Sequence, residues 1–281
     1  MKRTILLFAS VAVAMVLVGL GGSRAEVAQP RPNIIVITDD QDANSLEYMP
    51  YISGDFKASA TTFPNATFNF PLCCPSRTSI LRGQYTHNHD VWENRTEDDG
   101  GYEKFLAEGH DRSTFPVWLD NVGYQTGGFG KYLNGYSPKA HGKPVGFDFF
   151  RHHNRTWNNQ AVAAGVHLDD QIRENAVRWL KQSIPGGPLM LWVGFLAPHY
   201  PYSYDPIYAE RFTQTTLPNE PSFNELDVSD KPKYVRNAAT LTEAEVARLE
   251  EENRNRLRGA AHPRRGDASD GRGGRSQRRD G

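Results

Sequence analysis

Cys73 and Cys74 are the only cysteines in the chain, and they are adjacent, within Pro71-Leu72-Cys73-Cys74-Pro75-Ser76-Arg77-Thr78-Ser79-Ile80-Leu81-Arg82-Gly83. Neighbouring Cα atoms across a trans peptide lie ~3.8 Å apart, short of the ~4.4 Å minimum usual for a disulfide. A bridge within the chain is therefore not expected, and two cysteines cannot close a tetrahedral zinc site. What remains is a buried inert pair or a reactive position. Pro75 suits the first turn of a helix and Gly83 its end, which places Cys73 where free N–H groups and the helix dipole favour negative charge. Arg77 follows Cys73 by four residues, one helical turn, and can face the same spot. Asp39 and Asp40 form a carboxylate pair suited to a hard divalent cation, although aspartate after a strand also reads as a turn former. Lys131 could set an ammonium over an anion, or be an ordinary surface lysine. His199 reads equally as a loop residue or a site residue.

The elements that must position these residues follow from apolar patterning. Asn33-Ile34-Ile35-Val36-Ile37-Thr38 is a continuous apolar run, expected for a short strand covered on both faces of a parallel sheet. Residues 123–129 and 147–150 read as further strands, and 188–196 as the strongest strand after the first. Asp39 and Asp40, Lys131 and His199 each follow a strand, so parallel strands would gather them on one rim, where ligand sites of open α/β sheets form. Residues 169–182 read as a helix, with Ile172, Ala176, Val177 and Leu180 on one face and Asp169 and Asp170 at its N-terminal end. Thr114 or Ser113 caps a helix with Pro116 in its first turn. Residues 93–111 read as polar loop, and His87 and His89 as opposite faces of an extended segment. Residues 241–257 read as a charged helix, with Thr242 as cap and Glu245 three residues on. Strand–helix alternation without a repeat gives an α/β class with a mostly parallel sheet sandwiched by helices.

Read together, these segments resemble the formylglycine-dependent, type I sulfatases. The signature Cys-x-Pro-Ser-Arg-x-x-x-Leu-x-Gly is met by Cys73, Pro75, Ser76, Arg77, Leu81 and Gly83, with Arg82 where threonine is commoner. Pro32-Asn33 followed by an apolar run and Asp39-Asp40, Gly130-Lys131-Tyr132-Leu133-Asn134, and Pro198-His199-Tyr200-Pro201 are similar to three further family segments. The resemblance implies an alkaline-phosphatase-like fold and conversion of Cys73 to formylglycine, with Cys74 as the variable position. It implies Ca2+ held by Asp39, Asp40 and residue 73, and sulfate contact by Lys131. It also implies proton donation by His199 to the leaving oxygen, and sulfate or sugar contact by Asn134. Many arylsulfatases carry a histidine two residues after the lysine. That position is Leu133 here, so the histidine's role is not transferred. His87-Asn88-His89 is similar to a segment of the N-acetylglucosamine-6-sulfatase branch.

Lys2 and Arg3, an apolar run from Ile5 to Leu20, and Ser23-x-Ala25 read as an export leader over residues 1–25, with cleavage before Glu26; an uncleaved anchor is the alternative. Residues 26–257 are expected to form part of a sulfatase catalytic domain. From Arg258 the chain is rich in Arg, Gly, Asp and Ser and reads as a disordered, possibly frame-shifted tail over 258–281. No Asp-Asn-Gly follows Leu257. In the family, that segment supplies the remaining calcium ligands. The resemblance therefore implies a chain lacking the C-terminal part of the fold, with an incomplete metal shell and little or no turnover as written.

A formal net charge of −1 gives no argument for nucleic acid. Sequons at Asn65, Asn94 and Asn154 matter only in a glycosylating host. The expected function is sulfate-ester hydrolysis, on a sulfated sugar, by a secreted or periplasmic protein with no membrane contact after cleavage. The implied processing partner is a formylglycine-generating enzyme. The alternatives are a phosphoester or phosphonate hydrolase on the same scaffold, and a non-catalytic fragment.

Overall fold

All four expected strands form and all run parallel. The structure is a computed structural model that describes residues 33–49, 52–153, 167–218 and 220–261. The strands are β1 (Asn33–Ile37), β2 (Gln125–Gly130), β3 (Phe149–His152) and β4 (Leu189–Gly194), in the order β1-β4-β2-β3. The helices that bear on the site are α1 (Cys73–Arg82), α2 (Thr86–His89), α3 (Gly101–Ala107), α4 (Phe115–Asp120), α5 (Leu168–Ser183) and α6 (Glu243–Ala260).

β4 is buried along its whole length, and its side chains divide between two layers. Leu189, Leu191 and Val193 pack with Leu168, Ile172 and Ala176 of α5. Met190 and Trp192 pack on the opposite face with Cys74 and Leu81 of α1 and Phe105 of α3. This is the two-sided covering that a continuous apolar strand requires. Gly127 of β2 makes room for α5, since a Cβ there would lie 2.7 Å from the Trp179 ring. Gly130 ends β2 at φ +93, where a Cβ would meet the Gly194 carbonyl, so only glycine lets the chain turn out to Lys131.

Several expectations are corrected. β1 is an edge strand of the described sheet rather than one covered on both faces: Ile35 and Ile37 pack inward, while Ile34 and Val36 are 46% and 57% exposed. Val177 of α5 is exposed, because the inward stripe runs through Ile172, Ala176 and Leu180. Residues 93–111 are not all loop: α3 lies within them and buries Tyr102 and Phe105. His87 and His89 lie on α2 rather than on an extended segment. The capping box of Thr242 and Glu245 forms as expected. However, α6 continues to Ala260, and Leu257 to Ala261 are buried, so the polar tail does not begin at Arg258. The Arg258 guanidinium is held by the Arg211 carbonyl, Glu251 and Asn255, which explains why an arginine can end a buried turn. The expectations for residues 1–25 and 262–281, and the sequon at Asn154, lie outside the described residues. Among the described residues, no helix is long and apolar enough to cross a membrane.

Phe105 is fully buried and stacks on Tyr102 at 5.9 Å between ring centroids. Phe105→Ala should cost about 3–5 kcal/mol, the usual range for an emptied aromatic core position. Urea unfolding of the two proteins measures it, and an unchanged midpoint would contradict the packing described.

Candidate active site

The pairing register aligns the C-terminal ends of the strands in one row: Ile37, Gly194, Gly130 and His152. Asp39, Lys131 and His199 each follow a strand in this row. α1 brings Cys73 to the same rim, with Cys73 as its first residue and Leu72 as its cap. Gly83 ends α1 in the left-handed conformation, as its sequence position implies.

Asp39 is the centre of the charge arrangement, and it is buried. Its Oδ1 accepts from Arg77 Nη2 at 3.3 Å, and its Oδ2 pairs with Lys131 Nζ. Arg77 is itself buried, and its Nη1 donates to the carbonyls of Lys131 at 2.9 Å and Tyr132 at 3.4 Å. The guanidinium therefore fixes both the carboxylate and the backbone that carries the lysine. Trp192 Nε1 donates to the Lys131 carbonyl as well, at 3.3 Å. Asp40 adopts φ +58, uncommon for a non-glycine residue, and this turn aims its carboxylate back at the rim. Cys73 Sγ lies 3.9 Å from Asp40 Oδ1.

His199 Nδ1 donates to the Tyr200 carbonyl, since a carbonyl can only accept. Its Nε2 is thereby the nitrogen that faces the site, 3.5 Å from Asp40 Oδ2 and 3.8 Å from Asp39 Oδ2. Ligand atoms from Asp39, Asp40, Cys73 and His199 all lie within 4.8 Å of one another. Donors around one Ca2+, each at 2.3–2.6 Å, span about this distance. The two carboxylates suit a hard cation, whereas a thiol at position 73 does not. An oxygen-bearing group at that position would make the set match. With oxygen at position 73, this group of residues would fit a divalent cation.

Two clefts open on this cluster. One, of about 300 Å³, is lined by Asp39, Asp40, Phe68, Cys73, Ser76 and Arg77. The other, of about 620 Å³, is lined by Asp39, Asn94, Lys131, Asn134, His152 and His199. Asp39, Asp40, Cys73, Arg77, Lys131, Asn134 and His199 each lie at one of them, whereas Cys74, His87 and His89 do not. Asn134 Oδ1 is buried and has no hydrogen-bond partner among the described residues. Asn94 shows in the sequence only as a sequon residue, but its Oδ1 accepts the Cys74 N–H at 2.7 Å and ties the first turn of α1 in place. The asparagine ahead of a helix in space is not its neighbour in sequence, so no local signal marks it. Cys74 is inert: it is fully buried, and burial pushes its thiol up to about 12.

His89 is structural. It is fully buried, and its Nδ1 accepts the Val91 N–H, so the neutral ring carries its proton on Nε2 and donates to Ser79 Oγ at 2.9 Å. Burial, with His110 beside it, lowers its pKa from 6.5 to about 4. His152 is lowered to about 4 as well, by burial and then by His153. An unfolded chain protonates both rings near 6.5, so it binds more protons than the fold as the pH drops. The stability they contribute is full above pH 6.5 and is lost progressively as pH falls towards 4, a decline set by the direction of the two shifts. Urea midpoints between pH 7.5 and 4.5 measure this. His89→Gln should make the decline shallower, and a midpoint independent of pH would contradict it.

A family model described as Sulfatase matches residues 32–255. The chain belongs to the sulfatase family. It is 32% identical to an arylsulfatase of Volvox carteri over 89% of this chain and 44% of that protein. It is 31% identical to an N-acetylglucosamine-6-sulfatase of Capra hircus over 84% of this chain and 46% of that protein. Relatives of both kinds match at similar identity, so the comparison places the chain in the family without dividing those branches. Among solved structures it resembles BT4656, described in complex with its substrate D-glucosamine-2-N,6-O-disulfate, at 21% identity and a TM-score of 0.53, over 86% of this chain and 51% of that one. It also resembles the yidJ protein of Bacteroides fragilis at 18% identity and a TM-score of 0.59, over 85% of this chain and 57% of that one. These likenesses show the sulfatase fold, a parallel sheet with helices on its faces. The chain spans less than half the length of these two curated sulfatases.

Proposed function

We propose that the residues gathered around position 73 serve the hydrolysis of sulfate esters, with a sulfated sugar as the substrate class. The observation that carries this reading is the buried Asp39 carboxylate held between Arg77 and Lys131, directly beside Cys73 and His199. Breaking a sulfate ester spreads negative charge over the sulfate and the leaving oxygen, so a site for it needs fixed cations in a partly desolvated place. Arg77 supplies a fixed charge at the floor and holds the peptide of Lys131. Lys131 can swing its ammonium from Asp39 to an incoming sulfate. His199, held by Tyr200 through Nδ1, presents Nε2 to the cleft and in its protonated form gives a proton to the leaving alcohol.

Two groups complete the proposal. Formylglycine made from Cys73 supplies an oxygen nucleophile at the start of α1, and Ca2+ held by Asp39, Asp40 and residue 73 supplies positive charge for the sulfate oxygens. A formylglycine-generating enzyme is then the processing partner. The cleft of about 620 Å³ beside Lys131 and Asn134 has room for a sugar ring. The N-acetylglucosamine-6-sulfatase relatives support that substrate class. Residues 1–25 act as an export leader, in keeping with the extracellular sulfatase relatives. Secreted material should therefore begin at or near Glu26 by N-terminal sequencing, and retention of Met1 in a membrane fraction would contradict the leader.

Turnover of glucosamine-6-sulfate against glucosamine-6-phosphate, with calcium present and in the chain lengthened by an Asp-Asn-Gly segment, tests the function. A preference for the sulfate ester is expected. A preference for the phosphate ester would move the chain to the phosphoester-hydrolase alternative.

A further inference from the structure

We infer that Asp169 is a positioning residue that holds His199 and Asp39 in register across two strands, an inference that rests on the hydrolase reading for its kinetic consequence but not for its structural one. Asp169 is the second residue of α5 and is buried. A carboxylate in the first turn of a helix ordinarily serves that helix's own free N–H groups. This one turns away from α5 to the loop after β4. Its Oδ1 accepts the Leu196 N–H at 3.0 Å and its Oδ2 accepts the Ala197 N–H at 2.9 Å. Those two residues lead directly to His199.

The same loop also grips the end of β1. The Ala197 carbonyl accepts the Asp39 N–H at 3.3 Å, and Phe195 N–H donates to the Ile37 carbonyl at 2.9 Å. One residue, Ala197, thus stands between the Asp169 carboxylate and the backbone of Asp39. Both carboxylate oxygens of Asp169 are used, so the loop is fixed at two successive N–H groups and cannot pivot about either. Behind it, between the start of α5 and the loop, lies a gap of only about 10 Å³ lined by His167, Asp169, Leu196, Ala197, His199 and Pro201. That is room for no more than one water molecule, so the loop has no second seat to fall back to. His199 Nε2 meets both site carboxylates at 3.5 and 3.8 Å, distances that a small shift of the loop would change.

The experiment substitutes Asp169 in the full chain and reads hydrogen exchange at neutral pH by mass spectrometry. Asp169→Asn keeps the volume and one acceptor but turns an N–H donor towards a backbone N–H. Exchange at Leu196, Ala197 and Asp39 should rise about tenfold or more, while β4 and the second half of α5 keep the parental rates. Faster exchange confined to the first turn of α5, or spread evenly over the molecule, would overturn the proposal, because an ordinary helix cap or a general anchor would give those patterns. If Asp169→Asn does not fold, Asp169→Glu takes its place. Its carboxylate is displaced by one methylene and cannot meet both N–H groups, so the same three amides should be the ones affected; parental rates at all three would overturn the proposal.

The kinetic arm expects a fall in kcat of about 10- to 100-fold with KM within about threefold, since a misplaced acid costs rate more than binding. A change in KM alone would count against positioning of His199. The kinetic arm is run in the chain lengthened by an Asp-Asn-Gly segment; absence of turnover there would count against the hydrolase reading, and the exchange rates of the chain itself would still decide the role of Asp169.

Discussion

Sulfate release by the lengthened chain should fall to background in Cys73→Ala, while Cys74→Ser should keep a measurable fraction of it. The two cysteines are neighbours in sequence but not in chemistry. Cys73 opens α1 at the rim, with Sγ facing Asp40, where helix N–H groups and nearby cations favour an anion or a polarised oxygen. Cys74 points into the core beneath Trp192 and Leu81 and has no access to the cleft. Removing the proposed nucleophile should cost at least about 10³-fold in rate, because the remaining cations could hold an ester but would form no covalent link to it. Cys73→Ala should leave the unfolding midpoint nearly unchanged, since that side chain is only partly buried. Cys74→Ser should instead cost roughly 1–2 kcal/mol, as a buried hydroxyl in an apolar setting. Rates and urea midpoints for the two variants separate these effects. A Cys74 variant that loses rate while Cys73→Ala retains it would reverse the assignment.

Arg77→Ala should be the most damaging single change to fold and site together. The guanidinium lies buried with three oxygens on it: Asp39 Oδ1 and the carbonyls of Lys131 and Tyr132. Breaking a buried ion pair typically costs about 3–5 kcal/mol, and here it leaves the Asp39 carboxylate with one cation instead of two. Two carbonyls lose their donor in addition. Lys131 would remain as the cation on Asp39 and be less available to a sulfate. Stability should thus fall by about that amount, and turnover by ~10²-fold or more in whatever fraction stays folded. Arg77→Lys keeps the charge but not the planar fork, so it should recover part of the stability and little of the rate. Thermal or urea unfolding in parallel with initial rates checks both. A stable Arg77→Ala protein with parental turnover would contradict the central place given to this residue.

Much of this arrangement could be read from the chain because its signals are local. The apolar runs of β1 and β4 are contiguous, each is followed within a few residues by a site residue, and the helix from Cys73 to Gly83 carries its own start and stop. What escaped depends on distance in sequence. α3 was hidden because Gly100-Gly101 opens it and Glu103 and Lys104 interrupt it, leaving only Tyr102, Phe105 and Leu106 to show a helical period. Ile34 and Val36 are as apolar as Ile35 and Ile37, and composition cannot tell which face of an edge strand is covered. Asn94 and Asp169 looked like a sequon and a helix-dipole partner. Their use as acceptors for the Cys74 N–H and for the Leu196 and Ala197 N–H groups exists only once the chain is folded. Arg258 looked like the start of a polar tail because an arginine has no apolar period, yet Arg211, Glu251 and Asn255 together satisfy it in a buried turn.

We propose that position 73, Asp39, Asp40, Arg77, Lys131 and His199 act as one sulfate-ester site. Sulfate released from glucosamine-6-sulfate, followed by ion chromatography, tests it most directly. The chain, lengthened by an Asp-Asn-Gly segment that completes the metal shell, is produced with and without a coexpressed formylglycine-generating enzyme, and each sample is assayed with calcium and with a chelator. Release is predicted only where Cys73 has been converted and calcium is present. Equal release by the unconverted protein, or none from the converted protein with calcium, would contradict the account.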